Sequence, residues 1–488
     1  MWPFSTKPKK KAPTTAQAVR LRWDAASHSP EMQKHFSGAD NLGADRSLTA
    51  EVRKTIASRV RWETENNSFC AGIVGTLISH AVGKGVGLQL ELAKQGQDAL
   101  DLAAVRACLD RRESRFRVWA SVIDLDSLLR ICRRSRCVDG EVFVLLTDNK
   151  NLRNECKLFP VAYESSQVTS SFSSVPLRTP DGELIEFDGI RYDKYGNPVA
   201  YSINLNPDLA GISINGQWFS ADQVLHFAHI LRPGQHRGVS ELASAVAVFN
   251  DIRRYSNSTL AAAEGAAQLS FVIQTDLTSL DDEGQRTAVP IEPGTYLESA
   301  QGGGVALPEG WSISQLQPTN PTSNYCQYLE SKIREAARAL NMPLMVALAD
   351  SSGGNYSSSR ADQQIWARKI DVDRQELVKA ILNPIYQRWS ELDKALHPAD
   401  YAYEAHPRWG WQPFVSLDPV KDENASKQRL ENRTTTLAIE CSRKGLDWES
   451  VLLQQAREKE FADKLGLTIY ADSQDGEKAQ EEDKEAEQ

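Results

Sequence analysis

Apolar residues recur at three- and four-residue steps through much of this chain, and in one central block they alternate instead. The clearest helical stripe is Leu242, Ala245, Val246, Phe249 and Ile252, which lies within a stretch over residues 232–267 that opens on a basic Pro/Gly turn. Ser240 is a favourable N-cap, and Glu241 places negative charge in the first turn, where the helix dipole favours it. The spacing therefore predicts a helix over residues 240–267, a rod of roughly 40 Å at 1.5 Å per residue. Its second half is built of small residues: Ser256, Ser258, Thr259, Ala261, Ala262, Ala263, Gly265, Ala266 and Ala267. A neighbouring helix could approach closely along it. The stripe alone fits an ordinary core helix of a large enzyme equally well.

The remaining pattern falls into order along the chain. Val52, Ile56 and Val60, then Ile73, Leu77 and Ala81 beyond a polar break at residues 65–68, predict two helices joined by a turn. AVGKGVGLQLEL reads as a glycine-ended helix passing into a short strand, and a helix follows over residues 125–132. Alternation then takes over in GEVFVLLT, CKLFPVAYE, ELIEFDGIRYD, PVAYSIN and QWFSADQVLHFAHI, predicting a mainly antiparallel sheet packed on the preceding helices. After the 240–267 helix come short strand-like pieces with glycine and proline throughout, then a second helix capped by Asn320 with Pro321 in its first turn. Its apolar side is Tyr325, Leu329, Ile333, Ala336, Ala337 and Leu340, and most of its charge lies on the other. Helix, small β module, helix makes two rods carrying a compact tip. Residues 350–358 are polar, small and glycine-bearing, which predicts a mobile loop. A long helical region over residues 360–396 should be kinked or broken at Pro384. An extended aromatic segment over 409–417, a helix over 419–443 and another over 447–464 complete the chain.

Composition narrows the chemistry. With 41% hydrophobic and 25% charged residues over 488, the chain is that of an ordinary folded protein. A net charge of −9 does not favour strong binding to nucleic acid. Seven cysteines without CxxC spacing read as free thiols, Cys132 and Cys137 within ICRRSRC included. Gly83, Gly85 and Gly87 invite a phosphate-loop reading but follow a helix, and no Walker motif occurs. His226 and His229, three apart on a strand, point to opposite faces and read as structural. The serines of residues 351–359 have no base nearby in sequence, and no HExxH, GxSxG or kinase set is found. No apolar run reaches the roughly 18 residues of a membrane span.

Taken in order, NNSFCAGIVGTLISHAVGKGVGLQL, GEVFVLLT, HFAHILRPGQHRGVSELASAVAVFNDIRRYSNSTLAAAEGAA and REAARALNMPLMVALADSSGGNYSSSRADQQIW make this chain resemble the portal proteins of tailed bacteriophages, lambda type. A fifth, weaker stretch runs from WGWQPFVSLDP to the final helix. The resemblance implies an α+β, portal-like fold. Residues 1–20 would be a flexible basic arm and 21–235 a helix-rich wing with an antiparallel sheet. Residues 236–267 and 320–342 would be two stem helices carrying a β-containing clip at 268–319. A tunnel loop at 343–360, a long wing helix at 361–398, a helical crown at 399–470 and a disordered acidic tail at 471–488 would follow.

The function so implied is a ring of about twelve copies at one capsid vertex, closed by heterologous contacts, through which double-stranded DNA is packaged and ejected. Its implied partners are the terminase large subunit, the major capsid and scaffolding proteins and the head-completion or neck proteins, with no membrane, cofactor, metal or catalytic residue. It would belong to the virion and be assembled in the host cytoplasm. Ser351, Ser352, Gly353, Gly354, Asn355, Tyr356 and Ser357 would form the DNA-facing loop. Arg253, Arg254, Lys332, Arg334 and Arg338 would touch phosphates weakly or pair with Asp251, Glu330 and Glu335 between subunits, the second being the commoner fate of such charges. Strong phosphate contacts would add drag to DNA translocation. The alternative is an enzyme acting on DNA, such as a metal-dependent nuclease of the packaging machinery. A membrane-surface scaffold is disfavoured, since the basic cluster at residues 7–11 has no amphipathic helix directly behind it.

Overall fold

The computed structural model describes residues 30–92, 102–169, 177–179, 182–206, 216–268, 272–275, 311–314, 324–414, 418–446 and 448–467. The basic arm, the acidic tail, most of the 268–319 module and the Asn320–Pro321 cap lie outside them.

After two short helices, α1 (Pro30–His35) and α2 (Ala44–Ser47), the first apolar stripe becomes α3 (Ala50–Asn66) and α4 (Ser68–Ala81). One residue, Asn67, joins them; its side chain accepts the N–H groups of Phe69 and Cys70 and so starts α4. Val60, Ile73, Leu77 and Ala81 are fully buried, whereas Val52 is 40% exposed and stands outside the core. Gly83 and Gly85 take φ of 60° and 120° as the chain turns into β1 (Val86–Leu92). A side chain at Gly85 would come within 2.2 Å of the Asp126 carboxylate. Their role is turn geometry.

Helices α5 (Leu102–Val122) and α6 (Leu125–Asp139) precede two antiparallel sheets. One has the order β3 (Leu158–Glu164), β2 (Glu141–Asp148), β9 (Val224–Ala228); the other is a meander of β4 (Leu177–Thr179), β5 (Gly182–Phe187), β6 (Ile190–Tyr192), β7 (Pro198–Ile203) and β8 (Gln217–Ser220). A bridge between Val168 and Ile203 connects them, and Phe143, Leu145, Ile190, Tyr201 and Val224 fill the space between. This is the mixed helix and antiparallel-sheet class that the alternating block predicts. Helix α6 runs seven residues past Cys132 because Arg133 and Arg136, polar in sequence, are buried within ion pairs.

The predicted long helix is shorter than its stripe: α7 spans Val246–Gln268, about 34 Å, and residues 241–245 form a turn ahead of it. Ser240 accepts the Leu242 N–H but also donates to the Cys137 carbonyl at 2.9 Å, so it anchors the turn to α6 and does not cap α7. Strands β10 (Val272–Thr275) and β11 (Trp311–Ser314) pair antiparallel beyond α7. The chain returns through α8 (Tyr325–Arg338), short α9 (Leu344–Leu348) and α10 (Tyr356–Leu377). Pro384 neither breaks nor ends the helical region. A π-helical stretch at Val378–Leu382 leads into α11 (Asn383–Leu396), with Pro384 in its first turn, where a missing N–H costs least.

Of the extended segment expected over 409–417, residues 409–411 end β12 (Ala405–Trp411) and 415–417 lie outside the described residues; β12 pairs with β1 across more than 300 residues, Val86 opposite Trp411 and Leu92 opposite Ala405. The single helix expected over 419–443 is two, α12 (Pro419–Glu431) and α13 (Leu437–Arg443), interrupted where Arg433 takes φ 55°. Helix α14 (Trp448–Leu465) follows. The main core lies where α5, α11 and β12 meet: Phe116 packs edge-on to Trp389 at 5.1 Å, and buried Trp119 donates to the Leu158 carbonyl at 3.0 Å.

Candidate functional site

The entry to α7 is held by two buried charge clusters. Residues 237–242, RGVSEL, are buried throughout. Arg237, 1% exposed, donates through Nε to Glu141 at 2.8 Å, and Gly238 N–H donates to the other Glu141 oxygen at 2.8 Å. Arg53 (3.1 Å), Ser165 (2.5 Å) and His226 Nε2 (2.9 Å) complete the shell of Glu141. Burial alone would raise the Glu141 carboxyl, but Arg237, then His226 and Arg53, hold it well below the usual carboxylate range. Glycine is required at the crossing itself. A side chain at Gly238 would meet the Gly140 carbonyl oxygen at 2.2 Å, and one at Gly140 would meet Val239 at 2.3 Å.

Three residues on, Glu241 takes a two-pronged contact from fully buried Arg133 at 3.1 and 2.9 Å. Arg133 also donates to Asp373 of α10 at 2.7 Å, and Lys369 reaches that carboxylate at 2.5 Å. Burial raises Glu241, yet Arg133, Arg136 and Lys369 pull it down to about 2. The charge expected to serve the helix dipole is therefore spent in the core, tying α7 to α6 and α10. His229 Nδ1 lies 2.9 Å from the Val239 carbonyl, and with His226 on Glu141 both histidines are structural. Cys132 and Cys137 are buried, and burial pushes the Cys132 thiol up to about 12, which removes them as nucleophiles at neutral pH.

From this base α7 and α8 run as a pair. Phe249 and Ile252 face the same core as Ile333, Ala336 and Ala337, and further out Tyr255 stacks on Tyr325 at 5.6 Å while Ser256 meets the Tyr325 hydroxyl at 3.1 Å. The small residues 256–264 on the outer half of α7 are exposed or half-buried. Helix α9 ends at Ala349, held at φ 53°. The loop proper is residues 349–355. Asp350 accepts the Ser352 N–H at 2.9 Å, which holds its carboxyl below the ordinary range, and Asn355 exchanges hydrogen bonds with Ser358 to cap α10. Tyr356 and Ser357 thus belong to the first helical turn, and all seven residues from Ser351 to Ser357 are exposed.

Loop and stem come together in a groove of about 490 Å³, where Arg334 and Arg338 of α8 stand across from Ser352, Gly353, Gly354 and Ser358, with Glu330, Asp350 and Asp362 on the rim. The five stem cations divide. Arg253 is paired with Glu63 at 3.0 Å and Lys332 with Glu335 on its own helix at 2.9 Å. Arg254, Arg334 and Arg338 are exposed and have no ion-pair partner among the described residues. Hydroxyls, backbone amides and three free guanidinium groups can touch a polyanion lightly. No group of His, Cys, Asp or Glu able to hold a metal occurs among the described residues, and no described helix is long and apolar enough to cross a membrane.

A family model described as phage portal protein, lambda family, matches residues 33–374, which takes in α3, both sheets, the stem pair, the loop and most of α10. The chain belongs to the lambda family of phage portal proteins. Its function is that of a phage portal, a structural component of the virion. It is 21% identical over 484 residues to a probable portal protein of Halomonas phage phiHAP-1, across 94% of this chain and 89% of that one. Among solved structures it is similar to a chain of the native gene transfer agent virion, at TM-score 0.41 and 15% identity over 80% of this chain and 93% of the other. It is also similar to an HK97 family phage portal protein from Corynebacterium diphtheriae, at TM-score 0.27 and 12% identity over 75% and 96%.

The buried charges Arg133, Glu141, Arg237 and Asp373 carry no functional signature in the sequence, and Glu241 reads there only as a charge serving the helix dipole. For all of them but Asp373, the trace in one dimension is the density of Arg and Glu beside apolar residues in ICRRSRCVDGEVF and RGVSEL.

Proposed function

We propose that copies of this chain close into a ring of about twelve, by head-to-tail contacts, at one capsid vertex, with double-stranded DNA passing along its axis. In this reading α7 and α8 are stem helices, residues 268–319 the clip, and residues 349–355 the working part of the tunnel loop. Helices α3 to α6, the two sheets and α10–α11 form the wing, and α12 to α14 the crown. The clip would dock the terminase large subunit during packaging and the head-completion proteins afterwards, while the major capsid and scaffolding proteins would meet the wing. The chain would supply passage and docking with no chemistry of its own.

The observation that carries this reading is the groove in which the loop faces Arg334 and Arg338 beside a paired stem. Arg253 and Lys332 are engaged within the chain, so weak phosphate contact falls to Arg254, Arg334 and Arg338. Each phosphate neutralised adds affinity through counterion release, so few free cations in an acidic protein suit a channel along which DNA must slide. Deleting residues 352–354 spares the Asn355 cap of α10. The variant should assemble as the wild type does yet lose packaging or retention of DNA; wild-type packaging by it would refute the DNA-facing role.

A further inference from the structure

A cavity of about 170 Å³ between α3 and the turn at Ser165–Gln167 has no part in the function above. Arg53, Lys54 and Arg61 line it from one face of α3, with Ser166, Thr169 and Asp188 opposite. Three cations therefore face one carboxylate, and that carboxylate is already paired with Arg53 and Arg237. Arg61 is occupied by Asp139 at 2.6 Å and Glu164 at 3.0 Å. Lys54 is exposed with no ion-pair partner among the described residues. Arg53 is 7% exposed; its Nη1 reaches Glu141 at 3.1 Å, but its buried Nε has no hydrogen-bond partner among the described residues. An orphaned buried guanidinium N–H in a native fold calls for a partner. Burial, followed by the neighbouring Arg237, lowers Arg53 to about 10 against the opposing pull of Glu141 and Asp45.

We propose that this cavity binds a phosphate group, taken by the Arg53 Nε and the Lys54 ammonium with hydroxyl support from Thr169; the Ser166 hydroxyl is engaged with Glu164 at 3.1 Å. Charge-assisted donors converging on one small space suit a tetrahedral oxyanion. The volume is ample for one phosphate group. Inorganic phosphate and a DNA backbone phosphate share this chemistry. The site stands independently of ring formation, so its failure leaves the portal reading untouched.

The test is calorimetric titration of the full-length protein with sodium phosphate, against sodium chloride at equal ionic strength, repeated with a short DNA duplex as competitor. Saturable binding of phosphate is expected, weakened at least tenfold by Lys54→Glu, an exposed position off the buried cluster. Arg53→Lys, which keeps the charge and removes Nε, should do the same; should it fail to fold, Lys54→Glu carries the test. Displacement by duplex identifies a backbone phosphate as the ligand, and absence of displacement identifies the free anion. Equal heats with phosphate and chloride, or unchanged phosphate affinity in Lys54→Glu, would overturn the proposal.

Discussion

Replacing Glu241 by glutamine removes one charge from the cluster that fixes the root of α7, and its cost can be worked out two ways. The gap between an ordinary glutamate near 4.3 and Glu241 at about 2 corresponds to about 3 kcal/mol of stability at neutral pH, at 1.36 kcal/mol per tenfold. Breaking a buried ion pair by removing one partner costs about 3–5 kcal/mol. Arg133 keeps Asp373 at 2.7 Å, so its charge is not stranded and the lower end applies. The pH dependence has a definite sign. Glu241 is depressed in the fold, so its contribution is complete above the unfolded value and fades as pH falls towards about 2. The difference between wild type and Glu241→Gln should be about 3 kcal/mol at pH 7 and shrink to about 1.4 kcal/mol at pH 3. Urea unfolding followed by fluorescence of buried Trp119, Trp366 and Trp389, at one protein concentration, measures it. A difference below about 1 kcal/mol at pH 7, or one that does not change with pH, would refute the cluster's role in holding the stem.

Three other outcomes follow from the backbone. Gly238→Ala forces a side chain against the Gly140 carbonyl oxygen at 2.2 Å and should destabilise by more than about 3 kcal/mol or abolish soluble expression. By contrast, an added Cβ at Gly353 meets nothing within 4 Å, and Gly353→Ala should shift the urea midpoint by no more than about 0.5 kcal/mol equivalent. Ala349→Gly relieves a left-handed alanine at φ 53° and should stabilise by about 0.5–1 kcal/mol after the glycine entropy is subtracted, read from the same unfolding curves.

What could be read from sequence was what repeats locally. The stripe Leu242, Ala245, Phe249, Ile252 and its counterpart Ile333, Ala336, Ala337, Leu340 fall on buried faces, because helical periodicity is a property of neighbouring residues. The polar loop expected over residues 350–358 ends earlier, because Asn355 caps a helix that begins at Tyr356. The pairing of β1 with β12 was not legible, since Val86 and Trp411 lie far apart in the chain and neither segment names its partner. The true start of α7 was hidden because Ser240 and Glu241 look like a cap until Cys137 and Arg133 are brought to them from about a hundred residues away. At Pro384, where a kink or a break is expected, the chain does not break: a π-helical stretch at Val378–Leu382 precedes the proline and the helix continues through it. Of the five stem cations, sequence could not tell Arg253, bound to Glu63 on α3, from Arg254 beside it.

In the proposed assembly the stem pair and its loop line the hole of a closed ring. Electron microscopy of the purified full-length protein under assembly conditions tests it most directly. Rings of about twelve copies around an open central channel are expected. A population made up of monomers and dimers, with no closed ring, would contradict it.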